Sequence, residues 1–140
     1  MKSLFRNLLC ASAMAMISTI AVADVAVIVN PANGDTLSKD DIAKIYMAKT
    51  KTFPGGKNAT PIDRAEGSPV RVDFVSKVIE KDEAQLKSYW SRLIFTGKGV
   101  PPKVVESDAD VKSQVAQDPS AIGFIDASAV DGSVKVVGTF

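Results

Sequence analysis

D-R-A-E-G-S-P-V-R-V-D-F, residues 63–74, is the stretch of this chain where a short strand gives way to a helix. Serine is a favoured helix N-cap and proline a favoured first helical residue, so Ser68 and Pro69 predict a helix start. The valines and Phe74 that follow predict an amphipathic helix that runs to about Glu80. A strand over residues 61–64 that leads directly into a helix is the unit from which α/β domains are built.

The same stretch predicts an anion-binding half-site. The first backbone N–H groups of a helix have no partner within the helix, and the positive end of the helix dipole attracts an oxyanion to them. Arg64 lies four residues before Ser68 and adds a planar, two-pronged donor. The candidate donors are the Arg64 guanidinium, the Ser68 hydroxyl and the backbone N–H groups of Val70 and Arg71. The Arg71 side chain lies within one helical turn of Ser68. The alternative, in which Ser68 caps a helix and binds nothing, remains open.

The rest of the chain alternates strands and helices, which is typical of an α/β domain. Val25–Val29 is an unbroken β-branched and apolar run, which predicts a central strand of a covered, parallel sheet. A three-layer α/β/α domain accounts for this order. Further helices are predicted over 39–48, 82–95 and 108–117, and further strands over 103–106, 121–125 and 134–137.

Residues 1–23 have the pattern of a secretory signal peptide. Lys2 and Arg6 form a basic start, residues 8–21 are mostly apolar, and Ala21-Val22-Ala23 supplies an A-x-A cleavage site. We therefore expect an exported periplasmic domain over residues 24–140, without a membrane anchor.

The composition excludes several classes of chemistry. The chain has no histidine, and its single cysteine, Cys10, lies within the predicted signal peptide. The usual ligands of zinc, copper and haem are therefore missing from the domain, as are Ser-His and Cys-His triads. Without Lys2 and Arg6, 15 of the 17 basic residues remain against 16 acidic ones. This balance argues against a nucleic-acid partner and against attachment to anionic lipid. No cofactor is expected.

Three pairs of acidic residues resemble acid/base or calcium-binding groups. Each pair falls in the first turn of a predicted helix, where acids complement the helix dipole. We therefore assign no catalytic residue and expect a protein that is not an enzyme. The pairs are Asp40 with Asp41, Asp82 with Glu83, and Asp108 with Asp110.

Several stretches, in order along the chain, resemble the phosphate-binding proteins of bacterial ABC importers. They read L-S-K-D-D-I-A-K-I-Y at 37–46, I-D-R-A-E-G-S-P-V-R-V-D-F at 62–74 and S-D-A-D-V-K-S-Q-V-A-Q-D-P-S-A-I-G-F-I-D at 107–126. The resemblance implies the type II periplasmic binding protein fold, in which two lobes close over a ligand. The chain resembles a single lobe only.

In that family the second-lobe motif runs arginine, three residues, serine, glycine and threonine before a helix. Arg64, Gly67 and Ser68 match it, but Pro69 and Val70 stand where glycine and threonine are expected. Pro69 removes a backbone N–H and Val70 removes a hydroxyl, so two donors are lost. The resemblance and the local pattern together give Arg64, Gly67, Ser68, Val70 and Arg71 as the candidate anion-binding residues.

Two functions follow from the resemblance. The first is periplasmic binding of phosphate or a similar oxyanion, as a substrate-binding component of phosphate ABC transport. This binding is weak in the lone chain, or a second protein or lobe completes the site. The alternative is a degenerate, non-catalytic lobe that docks onto another envelope component. Its candidate contacts are Tyr46, Phe53 and residues 95–99.

Overall fold

A five-stranded sheet organises residues 24–140, the part of the chain that this computed structural model describes. The predicted signal peptide lies outside the described residues. No helix within residues 24–140 has both the length and the apolar character needed to cross a membrane. The strands are β1 (Val25–Val29), β2 (Thr60–Arg64), β3 (Lys103–Val105), β4 (Ala121–Asp126) and β5 (Lys135–Thr139), and the helices are α1 (Lys39–Tyr46), α2 (Pro69–Phe74), α3 (Glu83–Phe95) and α4 (Asp108–Gln117).

The sheet is mixed, with the strand order β3-β2-β4-β1-β5. β2 pairs in parallel with both β3 and β4, whereas β1 is antiparallel to both β4 and β5. The central position predicted for β1 is confirmed, but its predicted parallel pairing is wrong. An unbroken apolar run indicates that both faces of a strand are covered, and it carries no information about the direction of the neighbouring strands.

Alternate residues of β1 point into two separate hydrophobic clusters, one on each face of the sheet. Val25, Val27 and Val29 pack with α1 and α2, whereas Ala26 and Ile28 pack with α4. Helices therefore cover both faces, and the predicted three-layer α/β/α arrangement is confirmed. All the residues of these clusters come from the described part of the chain. On the same face as the three valines, the first cluster is completed by Leu37, Ile42, Ile45, Tyr46, Phe53, Phe74, Val78, Ile122 and Phe124.

The predicted helix starts are confirmed by their caps. Ser38 and Asp82 each form a capping box, in which the cap side chain and the third helical residue satisfy one another's backbone N–H groups. Ser107 accepts a hydrogen bond from the Asp110 N–H and begins α4. Gly123 allows α4 to approach β4 closely, because a Cβ atom there would lie 2.4 Å from Val111 Cγ1.

The helix predicted to run from Pro69 to Glu80 changes its winding halfway. α2 ends at Phe74, a π-helical turn continues over Val75–Ile79, and Glu80 then adopts a left-handed conformation with φ of 59°. Phe74 and Val78 stay in the cluster on the sheet, whereas Val75 packs with Met47 and Leu86 beside α3. The π-helical turn therefore places side chains against both the sheet and α3. A local sequence pattern does not predict this turn, because it depends on contacts with residues that are distant in the sequence.

The apolar side predicted for α3 is largely uncovered. The helical spacing of Leu86, Tyr89, Trp90, Leu93 and Ile94 predicts an apolar side that packs in the core, but Leu86 is its buried member and 53% of Ile94 is exposed. α3 lies outside α1 and the π-helical turn rather than on the sheet, so only its first half finds apolar neighbours. This expectation about the core is therefore wrong for the second half of α3.

Candidate functional site

The predicted site lies where the parallel strands β2 and β3 end. Arg64 is the last residue of β2 and pairs with Val105, the last residue of β3. Because the two strands run in the same direction, the segments that follow them leave the sheet at the same edge. The start of α2 and the start of α4 therefore both lie close to Arg64.

The Arg64 guanidinium is buried and turned toward α4. The residue is 8% exposed, its Nη1 forms an ion pair with Asp108 Oδ1, and its Nη2 donates to the Glu106 carbonyl over 3.2 Å. Its Nε atom is buried and has no hydrogen-bond partner among the described residues. A buried donor without a partner lowers the stability of the fold. The Nε–H group is therefore a donor that the described residues leave unused.

The opening of α2 also leaves donors unused. Ser68 occupies the N-cap position with φ of −61° and ψ of 129°, yet its side chain makes no capping hydrogen bond. The Val70 and Arg71 backbone N–H groups likewise have no acceptor within residues 24–140. Gly67 has φ of 84°, a conformation that side chains disfavour, and it turns the chain into the helix. The hydroxyl and the two N–H groups are the donors that the sequence pattern singles out, and their role in binding an anion stays a prediction.

The Arg71 side chain is held by two carboxylates. Its Nε donates to Asp63 Oδ1 over 3.1 Å, and its Nη1 forms an ion pair with Glu83. Burial tends to lower the pKa of Arg71, but the charges of Asp63 and Glu83 outweigh it and raise the pKa. The guanidinium therefore ties β2, α2 and α3 together, whereas the backbone N–H of Arg71 has no acceptor within residues 24–140.

Asp63 holds the end of β2 in place through two hydrogen bonds. Besides Arg71, its Oδ1 accepts the Arg64 backbone N–H over 2.7 Å. Burial raises the pKa of the Asp63 carboxyl, although Arg71 acts in the opposite direction. The two partners of this ion pair therefore differ. The surroundings favour the charged form of Arg71, whereas burial makes the charged form of Asp63 less favourable than it is in water.

The structure brings some of the predicted donors together and occupies others. Ser68, Val70 and Arg71 present unused donors at one helix start, whereas the terminal nitrogens of Arg64 are bound to α4. Glu66, which stands between them in the sequence, is exposed and makes no ion pair with any residue in 24–140. Within residues 24–140, the Glu66 carboxylate therefore occupies none of the candidate donors through a hydrogen bond or an ion pair.

Sequence reasoning missed the carboxylates that hold the two arginines. Asp108 was interpreted only as a dipole-complementing acid of α4, a position that the structure confirms. A signal for its second contact was present, because the residue after a strand parallel to β2 must lie near the end of β2. No such signal exists for Glu83, because α3 does not follow a strand that ends at this edge of the sheet.

The polar side chains that follow β1 and end β4 also have structural partners. The Asn30 side chain donates to the Val115 and Ala116 carbonyls over 3.0 Å each, and Asp126 accepts the Ser128 N–H. Phe53 and Tyr46, two of the three proposed contacts of the alternative function, are 2% exposed and belong to the core. Within residues 24–140 there is no cluster of three potential metal-ligating side chains.

Solved structures share this fold. The chain is similar to an ABC-type phosphate transport receptor from Vibrio cholerae, with a TM-score of 0.64 and 23% identity. It is also similar to a phosphate ABC transporter substrate-binding protein with bound phosphate from Clostridium perfringens, at 0.63 and 24%, and to PstS from Borrelia burgdorferi, at 0.60 and 17%.

These likenesses cover 82% of this chain but only 46%, 45% and 47% of those proteins, respectively. The chain thus spans less than half the length of each, as one lobe of a two-lobed binding protein does. No family model and no curated protein matches the sequence. At these identities the comparisons establish the fold, which is the periplasmic binding protein arrangement expected from the sequence.

Proposed function

We propose that this protein binds phosphate or a similar oxyanion in the periplasm, as a single-lobe relative of phosphate-transport binding proteins. The proposed site comprises the Arg64 guanidinium, the turn at Gly67, the Ser68 hydroxyl, and the Val70 and Arg71 backbone N–H groups. The proteins of similar fold are described as a phosphate transport receptor and as a substrate-binding protein with bound phosphate. Their ligand class supports an oxyanion for this chain.

The observation that carries the proposal is the concentration of unused donors at one edge of the sheet. The first turn of α2 offers two free N–H groups and an uncommitted hydroxyl, four residues after a buried arginine whose Nε has no partner. Fixed N–H groups at a helix start favour an anion through both hydrogen bonding and the helix dipole. A tetrahedral oxyanion has enough oxygens to accept from several of these donors at once.

The affinity of the lone chain is expected to be low. If a two-lobed site binds at micromolar concentration, about −8 kcal/mol, and one lobe supplies half of it, about −4 kcal/mol remains, which is millimolar. The Arg64–Asp108 ion pair and the loss of two donors at Pro69 and Val70 weaken binding further. A second protein or lobe that faces this edge would restore tight binding.

The direct test is a phosphate titration followed through backbone amide signals in NMR spectra. The chain from Asp24 should show saturable shifts at Val70 and Arg71 at millimolar phosphate, with sulfate as the competing oxyanion. Ser68→Ala should weaken binding at least tenfold, since one hydrogen bond to a charged ligand contributes about 1.5–3 kcal/mol. Ser76→Ala, on the exposed side of the π-helical turn, should leave binding unchanged.

Arg64→Lys keeps the charge but loses the planar fork, and it should also weaken binding. The proposal fails if phosphate and sulfate move no amide signal at millimolar concentration. It also fails if the shifts lie away from the start of α2 and neither variant alters them.

A further inference from the structure

A second surface of the molecule combines exposed apolar side chains with a stretch of sequence whose charged residues are all basic. From Ala84 to Val105 the sequence contains no aspartate or glutamate, although the chain has 16 of them. Within this stretch Phe95 is 93% exposed, Val100 is 84% exposed and Ile94 is 53% exposed. The basic residues of the same stretch, each on the exposed surface, are Lys87, Arg92, Lys98 and Lys103.

The loop after α3 borders a hollow of about 220 Å³. Trp90, Lys98 and Val100 line it together with Lys51. Gly99 packs against α3, because a Cβ atom at this position would lie 2.9 Å from Leu93 Cδ2. The loop is thereby held against the helix while Phe95 and Val100 remain exposed. We call Ile94, Phe95, Lys98 and Val100 the α3 tip.

The α3 tip lies at the opposite end of β2 from Arg64. The hollow beside it is lined by Ala59 and Pro61, where β2 begins, and by Pro102, just before β3. The anion site lies where these strands end. A contact at the α3 tip therefore does not compete for the residues of the proposed anion site.

We propose that the α3 tip docks this protein onto the surface of an anionic phospholipid bilayer. Phe95, Ile94 and Val100 enter the boundary between the headgroups and the acyl chains, and the surrounding lysines and Arg92 pair with lipid phosphates. Exposed aromatic and aliphatic side chains in a stretch whose charged residues are all lysine or arginine match the apolar interior and the negative surface potential of such a membrane. The domain as a whole has nearly equal numbers of acidic and basic residues, so its net charge does not reveal this local excess of basic residues.

The size of the apolar tip favours a lipid surface over a protein partner. A buried aromatic side chain contributes roughly 150–250 Å², so three apolar side chains supply on the order of 400 Å². A stable protein interface needs about 800 Å² from each partner. The positive charge also disfavours pairing between two copies of the same tip, because like charges would face each other.

The test uses the chain from Asp24, which contains all three hydrophobic clusters, with vesicles of two compositions. Binding is measured by co-sedimentation with phosphatidylcholine vesicles, with and without about a third of phosphatidylglycerol, and by the emission of Trp90, the only tryptophan of the chain. We expect binding and a blue shift with the anionic vesicles alone. Phe95→Ser with Val100→Ser should weaken the binding at least tenfold, because two apolar side chains no longer leave water.

Lys98→Ala should weaken binding about fivefold, and higher salt should weaken it further. Val72→Ser on α2 and Lys112→Ala on α4 are the matched controls and should bind as the unmodified chain does. The proposal is overturned if no vesicle binds the protein, if neutral vesicles bind it equally well, or if the tip variants bind like the controls. A dimer that depends on Phe95 in sedimentation velocity would assign the tip to a second copy instead and equally overturn it.

Discussion

Arg64 is the residue on which the proposed function depends most, and its partner Asp108 sets how strongly it acts. A buried guanidinium needs a compensating charge, and the carboxylate at the start of α4 provides it. The same carboxylate repels an approaching oxyanion and engages one of the nitrogens that the anion would use. Asp108 therefore stabilises the buried Arg64 and would oppose the binding of an anion at the proposed site.

Replacing Asp108 by asparagine should strengthen phosphate binding about tenfold, because a repelling charge and a competitor for Arg64 are removed. Asparagine keeps an acceptor oxygen for the guanidinium. The matched control is Asp110→Asn, which removes one charge from the same helical turn without a contact to Arg64. Titration of both variants by NMR distinguishes them. Weaker binding in Asp108→Asn would instead show that the carboxylate orients Arg64 for its ligand.

Asp63 gives the folded protein a pH dependence whose sign follows from burial. Because its pKa is raised above the ordinary value of 3.8, the folded state binds this proton more tightly than the unfolded state does. The contribution of Asp63 to the free energy of unfolding therefore increases as pH falls from its raised pKa toward 3.8.

Asparagine at position 63 removes that proton-binding group. The unfolding free energy of the unmodified chain minus that of Asp63→Asn should rise as the pH is lowered over this range. Urea unfolding at several pH values measures the difference, in which the other titrating groups cancel. A difference that falls at lower pH would mean that the ion pair with Arg71 outweighs the burial of Asp63.

At the scale of helices and strands, local signals predicted starts better than continuations. Ser38, Asp82 and Ser107 each carry a cap that acts within three residues, and the helices begin where these residues predict. The π-helical turn after Phe74 and the exposed end of α3 depend on neighbours that are distant in the sequence. The pairing direction of β1 is non-local in the same way. The candidate donors at Ser68, Val70 and Arg71 are local and were predicted, whereas the carboxylates that bind the arginines were not.

The turn before α2 offers a direct test of how this element presents its donors. Gly67 adopts φ of 84°, and nothing lies within 4 Å of where a Cβ would stand, so alanine meets no clash but strains the backbone. Gly67→Ala should lower the free energy of unfolding by about 1–2 kcal/mol and weaken phosphate binding. Gly34→Ala is the control, since its surroundings are equally open and its φ lies outside the strained range. Equal thermal unfolding of the two variants would contradict a role for the Gly67 conformation.

For the molecule as a whole, the alternation of elements and the family resemblance together predicted a single α/β/α lobe. That prediction succeeded because β1 must be covered on both faces, and only helices in two layers provide the cover. Composition predicted less well how charge is distributed, because an almost neutral total conceals the acid-free stretch from Ala84 to Val105. Net charge constrains the average surface, whereas binding depends on what each part of the surface carries.

Residues 24–140 form one lobe, and the proposed site therefore predicts how this part of the chain responds to phosphate. The radius of gyration of residues 24–140 should be about 13 Å, as for a compact domain of this length. Small-angle scattering curves measured without phosphate and at saturating phosphate should superimpose, because binding only orders donors that are already in place. A two-lobed protein shortens when its lobes close around a ligand. If phosphate changes the scattering of this chain, then either the lobe rearranges or copies assemble around the anion, and the donors at the start of α2 are not a preformed half-site.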